Sequence, residues 1–249
     1  MSFVNKVYAK FKVIPSGEAD AAPPTPAMKK GVFYHGTTLK ENADSIWKSG
    51  IKPNLNNFDN DVYDEEDSIN PIADRVYCTN SIAVAFQYAV TGSYTEGGLD
   101  LKDAEAWIED FDRYGYVFVI QGSQFKDIHP DEDQIGKAIA EKKIPWLTKL
   151  AEKELKDEEC VDMDSCGYES LLKEIIQLKC YRCWIKAGKL LLPHLTDKQK
   201  IEIITKYGNV AHEGVLRPTE MWQIDRTQLG KYKPNGSNFF QVAKKVKAR

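Results

Sequence analysis

Tyr34-His35-Gly36-Thr37 is the first stretch whose residue types could do chemistry. A histidine at a strand end, followed by glycine and a helix start, sets a ring nitrogen beside exposed backbone N–H groups. Glycine lets a ligand approach the backbone closely, and a helix start favours polar or anionic groups. The same residues also fit a structural histidine that satisfies local carbonyls. Tyr77 and Tyr88, eleven positions apart, are the second pair. Alternation along Val76-Tyr77-Cys78 turns Tyr77 away from its neighbours. In the helix that follows, Ile82, Ala85, Phe86 and Ala89 form the apolar stripe and Tyr88 lies off it. Two such rings could bracket a flat heterocycle, worth about 1 kcal/mol per ring pair, or could be amphipathic surface tyrosines. Cys160, Cys166, Cys180 and Cys183 raise the question of zinc, since Cys180-x-x-Cys183 has half-site spacing. Reduced thiols packing a helical core are the expectation instead, so no metal is expected.

These residues need elements to hold them. Gly31 to His35 has the pattern of a short strand, and Thr38-Leu39-Lys40-Glu41 has the form of a capping box that starts a helix ending at Gly50. Arg75 to Thr79 is the next strand, capped by Asn80 or Ser81 into a helix through Val90. Tyr116 to Ile120 is the strongest strand pattern in the chain. Residues of about 134–207 are helical by spacing. Val210 to His212, Glu220 to Ile224 and Phe239 to Val242 return to strands. Strands flanking a central helical stretch indicate α+β with a mainly antiparallel sheet. Residues 1–28 form an arm and a Pro/Ala-rich linker, and residues 29–249 the main domain.

The formal net charge is -3, so a large polyanion-binding surface is not expected. Lys244, Lys245, Lys247 and Arg249 have the composition of a frayed, solvated end. Asp59 to Asp67 form an acidic loop, solvated or facing a basic partner. No apolar run approaches a membrane span. An odd cysteine count of 5 fits a reducing cytoplasm, of the chain's own cell or of a host cell.

Tyr34-His35-Gly36-Thr37, then Val76-Tyr77-Cys78-Thr79 with Tyr88 following, resembles the ADP-ribosyltransferase superfamily. The likeness is to its poly(ADP-ribose) polymerase-like and diphtheria-toxin-like branch with a His-Tyr-Glu triad. That family's third element is a glutamate opening a late strand, and Thr219-Glu220-Met221-Trp222-Gln223-Ile224-Asp225 matches it. The resemblance covers about a quarter of the chain; Cys78 departs from the aromatic residue usual after the strand tyrosine.

The resemblance implies a split, mainly antiparallel sheet and NAD⁺ as the substrate. His35 would bond the adenine-side ribose, and the Gly36 backbone would hold the nicotinamide carboxamide with help from Thr37. Tyr77 and Tyr88 would sandwich the nicotinamide, and Glu220 would bind the nicotinamide ribose. Departure of nicotinamide leaves an oxocarbenium-like sugar, which a fixed carboxylate stabilises. Glu213 is a rival for that role. The implied activity is transfer of a single ADP-ribose to a macromolecular acceptor, protein or nucleic acid, as in a bacterial or phage toxin or effector. The alternatives are a tRNA 2′-phosphotransferase-like enzyme, against which Tyr77 argues, and a module that binds NAD⁺ or ADP-ribose without turnover.

Overall fold

A computed structural model describes residues 21–53, 75–92, 108, 109, 111–162, 167–178 and 181–249. Residues 1–20 of the expected arm and linker, the acidic loop at 59–67, Cys166 and Cys180 lie outside these. In chain order the described strands are β1 (Val32–Thr37), β2 (Arg75–Thr79), β3 (Tyr114–Gln121), β4 (His129–Pro130), β5 (Glu159–Asp162), β6 (Gly167–Ser170), β7 (Asn209–Glu213), β8 (Glu220–Asp225) and β9 (Lys244–Ala248). Seven of them form one open sheet in the order β4-β7-β2-β1-β3-β8-β9, with every pairing antiparallel. The fold is therefore mixed, with a purely antiparallel main sheet. β5 and β6 make a separate hairpin.

β3 explains its own continuous apolar run: it is central and covered on both faces. Val117 packs with Ala85, Phe86 and Ala89 of α3 (Ile82–Thr91), while Phe118 packs with Ala43 of α2 (Lys40–Ser49). Each such fully buried side chain contributes about 1.5–3 kcal/mol. The sheet changes character between β1 and β2. β1 pairs with β3 at six successive positions, Val32↔Gln121 to Thr37↔Tyr116, but with β2 only at Tyr34↔Thr79. The sheet is continuous by pairing and loosely joined along that one seam.

The helical stretch runs through α4 (Glu132–Ala140), α5 (Pro145–Glu154), α6 (Leu171–Lys173) with a widened turn over Glu174–Leu178, α7 (Tyr181–Leu191) and α8 (Asp197–Tyr207). Ile135, Ile139, Leu147, Leu171, Leu191 and Ile203 belong to its own core cluster. α4 and α7 cross in close contact at two glycines. A Cβ on Gly136 would lie 2.2 Å from the Trp184 Cα, and one on Gly188 would lie 2.1 Å from the Glu132 carbonyl oxygen.

Five local expectations are corrected. Thr38 does not cap α2; the helix begins after Leu39, and Asp112 Oδ2 accepts from the Lys40 N–H at 3.0 Å. The Pro-rich linker ends in an ordered turn, α1 (Pro26–Lys30), with Thr25 as its cap and Ala22 bridged to Ile128. Phe239–Val242 is a helical turn, α9, packed under Phe86 and Trp222 rather than a strand. The helical middle contains the β5–β6 hairpin. Finally the basic end is strand β9: Lys245 reaches Glu220, Lys247 reaches Asp44, and Arg249 lies over the Trp47 ring at 4.3 Å. A lysine-rich strand is a natural cover for the edge that β8 would otherwise expose. Among the described residues, no helix is long and apolar enough to cross a membrane.

Candidate functional site

β1 carries the first half of the site. Gly36 is where α3 rests on the sheet: a Cβ there would lie 2.2 Å from the Ala85 carbonyl oxygen and 2.9 Å from the Tyr88 Cβ. The missing side chain therefore admits the helix, and that close seat brings Tyr88 to the β1 strand. Both contacts are backbone or stem atoms that cannot swing away. Gly36→Ala should lower stability by about 1–3 kcal/mol by pushing α3 off β1; a denaturation midpoint equal to wild type would refute the close packing. Tyr88 itself is 37% exposed, the orientation its position off the apolar stripe implied.

His35 follows a different path from its neighbours. By register it shares a row with Phe118 and Met221, whereas Tyr34 shares a row with Thr79, Val119 and Glu220. Residues paired directly across a sheet face the same side, so Tyr34, Thr79 and Glu220 point one way and the His35 Cβ the other. The imidazole then reaches across to β2, where Nδ1 meets the Tyr77 carbonyl oxygen at 3.0 Å. Burial pulls the His35 pKa below its ordinary 6.5, although the carbonyl bond opposes this. The ring is neutral at pH 7, Nδ1 donates to Tyr77, and Nε2 is left as an acceptor for a hydroxyl.

The sign of the pH effect follows. Below pH 6.5 the unfolded chain takes up a proton at His35 that the folded chain refuses. Stability is full above that pH and declines as pH falls toward the lower folded value. The unfolding free energy should thus be smaller at about pH 5.5 than at about pH 7.5, with the gap reduced in His35→Asn. An unchanged gap in the variant would contradict the assignment.

Tyr77 is held at both ends. Its carbonyl accepts from His35, and its hydroxyl donates to Glu132 Oε2 at 2.7 Å. Arg75, two residues earlier on the same face of β2, donates through Nη1 to Glu132 Oε1 at 2.8 Å. Glu132 and Arg75 are 1% and 0% exposed at the side chain. Burial, then the Glu132 charge, drives the Tyr77 phenol far above its usual range, so it stays protonated. Burial also raises the Glu132 carboxyl, with Arg75 pulling the other way. Glu213 lies at the far end of this group, 3.3 Å from His129 Nε2 and 3.8 Å from Arg75 Nη2.

Glu220 opens β8, as its place in the sequence implied. Trp222 Nε1 donates to its Oε2 at 2.7 Å and Lys245 Nζ to its Oε1 at 2.6 Å. Lys245 first, and Trp222 with it, holds the carboxyl below the usual carboxylate range. Its negative charge in turn raises the Tyr34 phenol, after burial. The row Glu220–Val119–Tyr34–Thr79 therefore crosses the seam where His35 and Tyr77 meet. Comparison of the chain with family models, curated proteins and solved structures returns no match.

What the arrangement brings together is thus two pairs and a row: His35 with Tyr77, Gly36 with Tyr88, and Tyr34 with Glu220. It does not join His35 directly to Glu220, whose oxygens go to Trp222 and Lys245. Glu213 stands on β7, four strands away from β8 in the sheet. A cavity of about 310 Å³ opens beside α3 at Val84, one turn before Tyr88; Lys137, Lys143, Lys206, Glu141 and Asn209 line it. Three lysines against one glutamate make that wall positive. Among the described residues no group of three or more His, Cys, Asp or Glu is arranged to hold a metal ion. Cys160 and Cys183 are joined as a disulfide, which replaces the reduced thiols expected there and removes both from any zinc set.

Reading the sequence missed Glu132, Arg75 and Lys245. Arg75 stands two residues before Tyr77 and so shares its face by alternation. Glu132 has the look of an ordinary acidic residue in a helix's first turn, and Lys245 that of a solvated tail.

Proposed function

We propose that the chain takes NAD⁺ as substrate and transfers one ADP-ribose unit to a macromolecular acceptor, releasing nicotinamide. The observation that carries this reading is the register that sets Tyr34 and Glu220 in one row, one residue from His35. With neighbouring strands about 4.8 Å apart, the Cα atoms of His35 and Glu220 are separated by roughly 10 Å across β1, β3 and β8. The loosely paired seam supports it too. Beyond Tyr34 the β2-facing edge of β1 is not laddered, so the Gly36 backbone can pair with a carboxamide, and Tyr77 and Tyr88 border the same gap.

The chemistry asked of each group is modest. Tyr77 and Tyr88 stack on the pyridinium ring. His35 Nε2 accepts from a ribose hydroxyl, and Glu220 bonds the other ribose and stabilises its positive charge as nicotinamide leaves. The lysine-lined cavity one helical turn from Tyr88 supplies positive potential near the pyrophosphate. A second reading, binding without turnover, is favoured by the Lys245–Glu220 pair, which already engages the carboxylate.

One experiment separates them. The protein is incubated with NAD⁺ labelled in its ADP-ribose, together with separate pools of cell protein, RNA and DNA. The transferase reading expects nicotinamide release and label in one pool. Tight binding with NAD⁺ left intact supports the second reading, and neither binding nor consumption ends both.

A further inference from the structure

Glu132 sits outside every motif in the sequence, yet it is the point where the helical stretch enters the candidate site. One oxygen accepts from the Tyr77 hydroxyl at 2.7 Å and the other from Arg75 at 2.8 Å. Burying a carboxylate and a guanidinium this completely is costly, and an apolar pair of similar volume usually stabilises a fold as well or better. Fold stability alone therefore gives a weak account of the pair. The geometry offers another. A strand tyrosine can swing about two side-chain torsions, and its backbone pairing with Ala211 does nothing to fix the ring. The hydroxyl is the far end of that ring, and a charge-assisted bond to a buried carboxylate is the strongest tether available to it.

The tether is itself rigidly mounted. Glu132 is the first residue of α4, and α7 seats directly on its backbone at Gly188. Arg75 holds the second oxygen, and Lys189 on α7 adds positive charge facing Glu132. The Tyr77 carbonyl meanwhile receives the His35 imidazole. A chain of contacts thus runs from α7 through Glu132 and Tyr77 to His35, two of the residues assigned to the dinucleotide.

We propose that Glu132 is a positioning residue: through the Tyr77 hydroxyl it fixes the plane of the ring that stacks on nicotinamide, so the helical stretch governs how NAD⁺ is bound. This rests on the transferase reading. Tyr77→Phe keeps the ring and the Arg75–Glu132 pair but removes the tether; Glu132→Gln removes the charge and keeps the shape. Each should raise KM for NAD⁺ about tenfold, the equivalent of one charge-assisted hydrogen bond, with kcat changed by less than about twofold. The double variant should also be raised about tenfold, because both changes delete one contact.

The cycle is measured on folded protein, with unfolding midpoints recorded beside the kinetics. A KM that multiplies to about a hundredfold in the double variant overturns the proposal. So does a lowered midpoint with KM unmoved, which is the signature of a purely structural glutamate. If Glu132→Gln fails to fold, Tyr77→Phe decides alone: a wild-type KM overturns the tether, a raised one supports it. An active wild type with independent variants sinks only this inference, whereas a wild type that ignores NAD⁺ sinks the transferase reading and this one with it.

Discussion

Glu220→Gln is expected to lower kcat for nicotinamide release by about 10²–10³-fold, the usual loss when one preorganised electrostatic group is removed from a charged transition state. Glutamine keeps the shape and can still accept from Trp222, but it has no net charge to set against an oxocarbenium-like sugar. The ground-state dinucleotide carries no such charge on its ribose, so KM should move by less than about threefold. The fold should barely notice. The Lys245–Glu220 pair is 42% and 30% exposed, and such pairs contribute at most about 1 kcal/mol. Because Lys245 and Trp222 hold the carboxyl below its ordinary range, Glu220 stays ionised through mildly acidic pH, and the acid limb of the rate profile belongs to another group. Full activity in Glu220→Gln, or loss confined to Glu213→Gln, would remove the assignment. Lys245→Met asks whether the lysine holds the carboxylate in place or competes for it. A fall in kcat means the first, a rise the second.

The parts of this molecule that could be read in advance are those determined by neighbours along the chain. Alternation in Val76-Tyr77-Cys78 correctly separated Tyr77 from two buried residues, and the glycine after Ser49 ends α2 with a φ of 89°. The unbroken run of β3 followed from a strand buried on both faces. The failures have one cause in common: the partner lay far away in sequence. Lys244 to Ala248 alternates charge and apolar residues too weakly to announce a strand, yet β8 needs an outer neighbour, and Glu220, Asp44 and Trp47 each take a basic side chain from it. Thr38 looked like a cap until Asp112, 72 residues away from Lys40, supplied the acceptor instead. Cys160 and Cys183 carry no local sign of being paired. Their Cα atoms meet at 6.2 Å only because the β5–β6 hairpin folds back against α7. Glu132 belongs to the same class: its meaning depends on Arg75 and Tyr77, which no helical pattern mentions.

Arg226 is the residue whose loss should hurt the fold most. It is wholly buried, and its donors go to main-chain carbonyls: Nε to Val90 at 3.0 Å, Nη2 to Ala89 at 2.7 Å and Thr38 at 3.3 Å, and Nη1 to Asp112. Ala89 and Val90 belong to the last turn of α3, where carbonyls lack helical partners and the helix dipole is negative, so a cation there is doubly suited. Thr38 and Asp112 belong to the segments just after β1 and just before β3. One guanidinium thus ties the end of the Tyr88 helix to both strands beneath it. Burial draws its pKa down to about 10, still high enough to keep it charged at neutral pH. Arg226→Met fills the space with a side chain that donates nothing and leaves several buried carbonyls unpaired. The expected loss is about 3–5 kcal/mol. In a chain of this length that is a fall in Tm of roughly 6–20 °C. Arg226→Lys keeps the charge but cannot span four acceptors, so its loss should fall between wild type and methionine. A methionine variant that melts within about 2 °C of wild type would mean that α3 is anchored by its apolar face alone. Its seat on Gly36, and on Gly115 of β3 where a Cβ would lie 2.0 Å from the Ala89 carbonyl oxygen, would then be enough to hold Tyr88 in place.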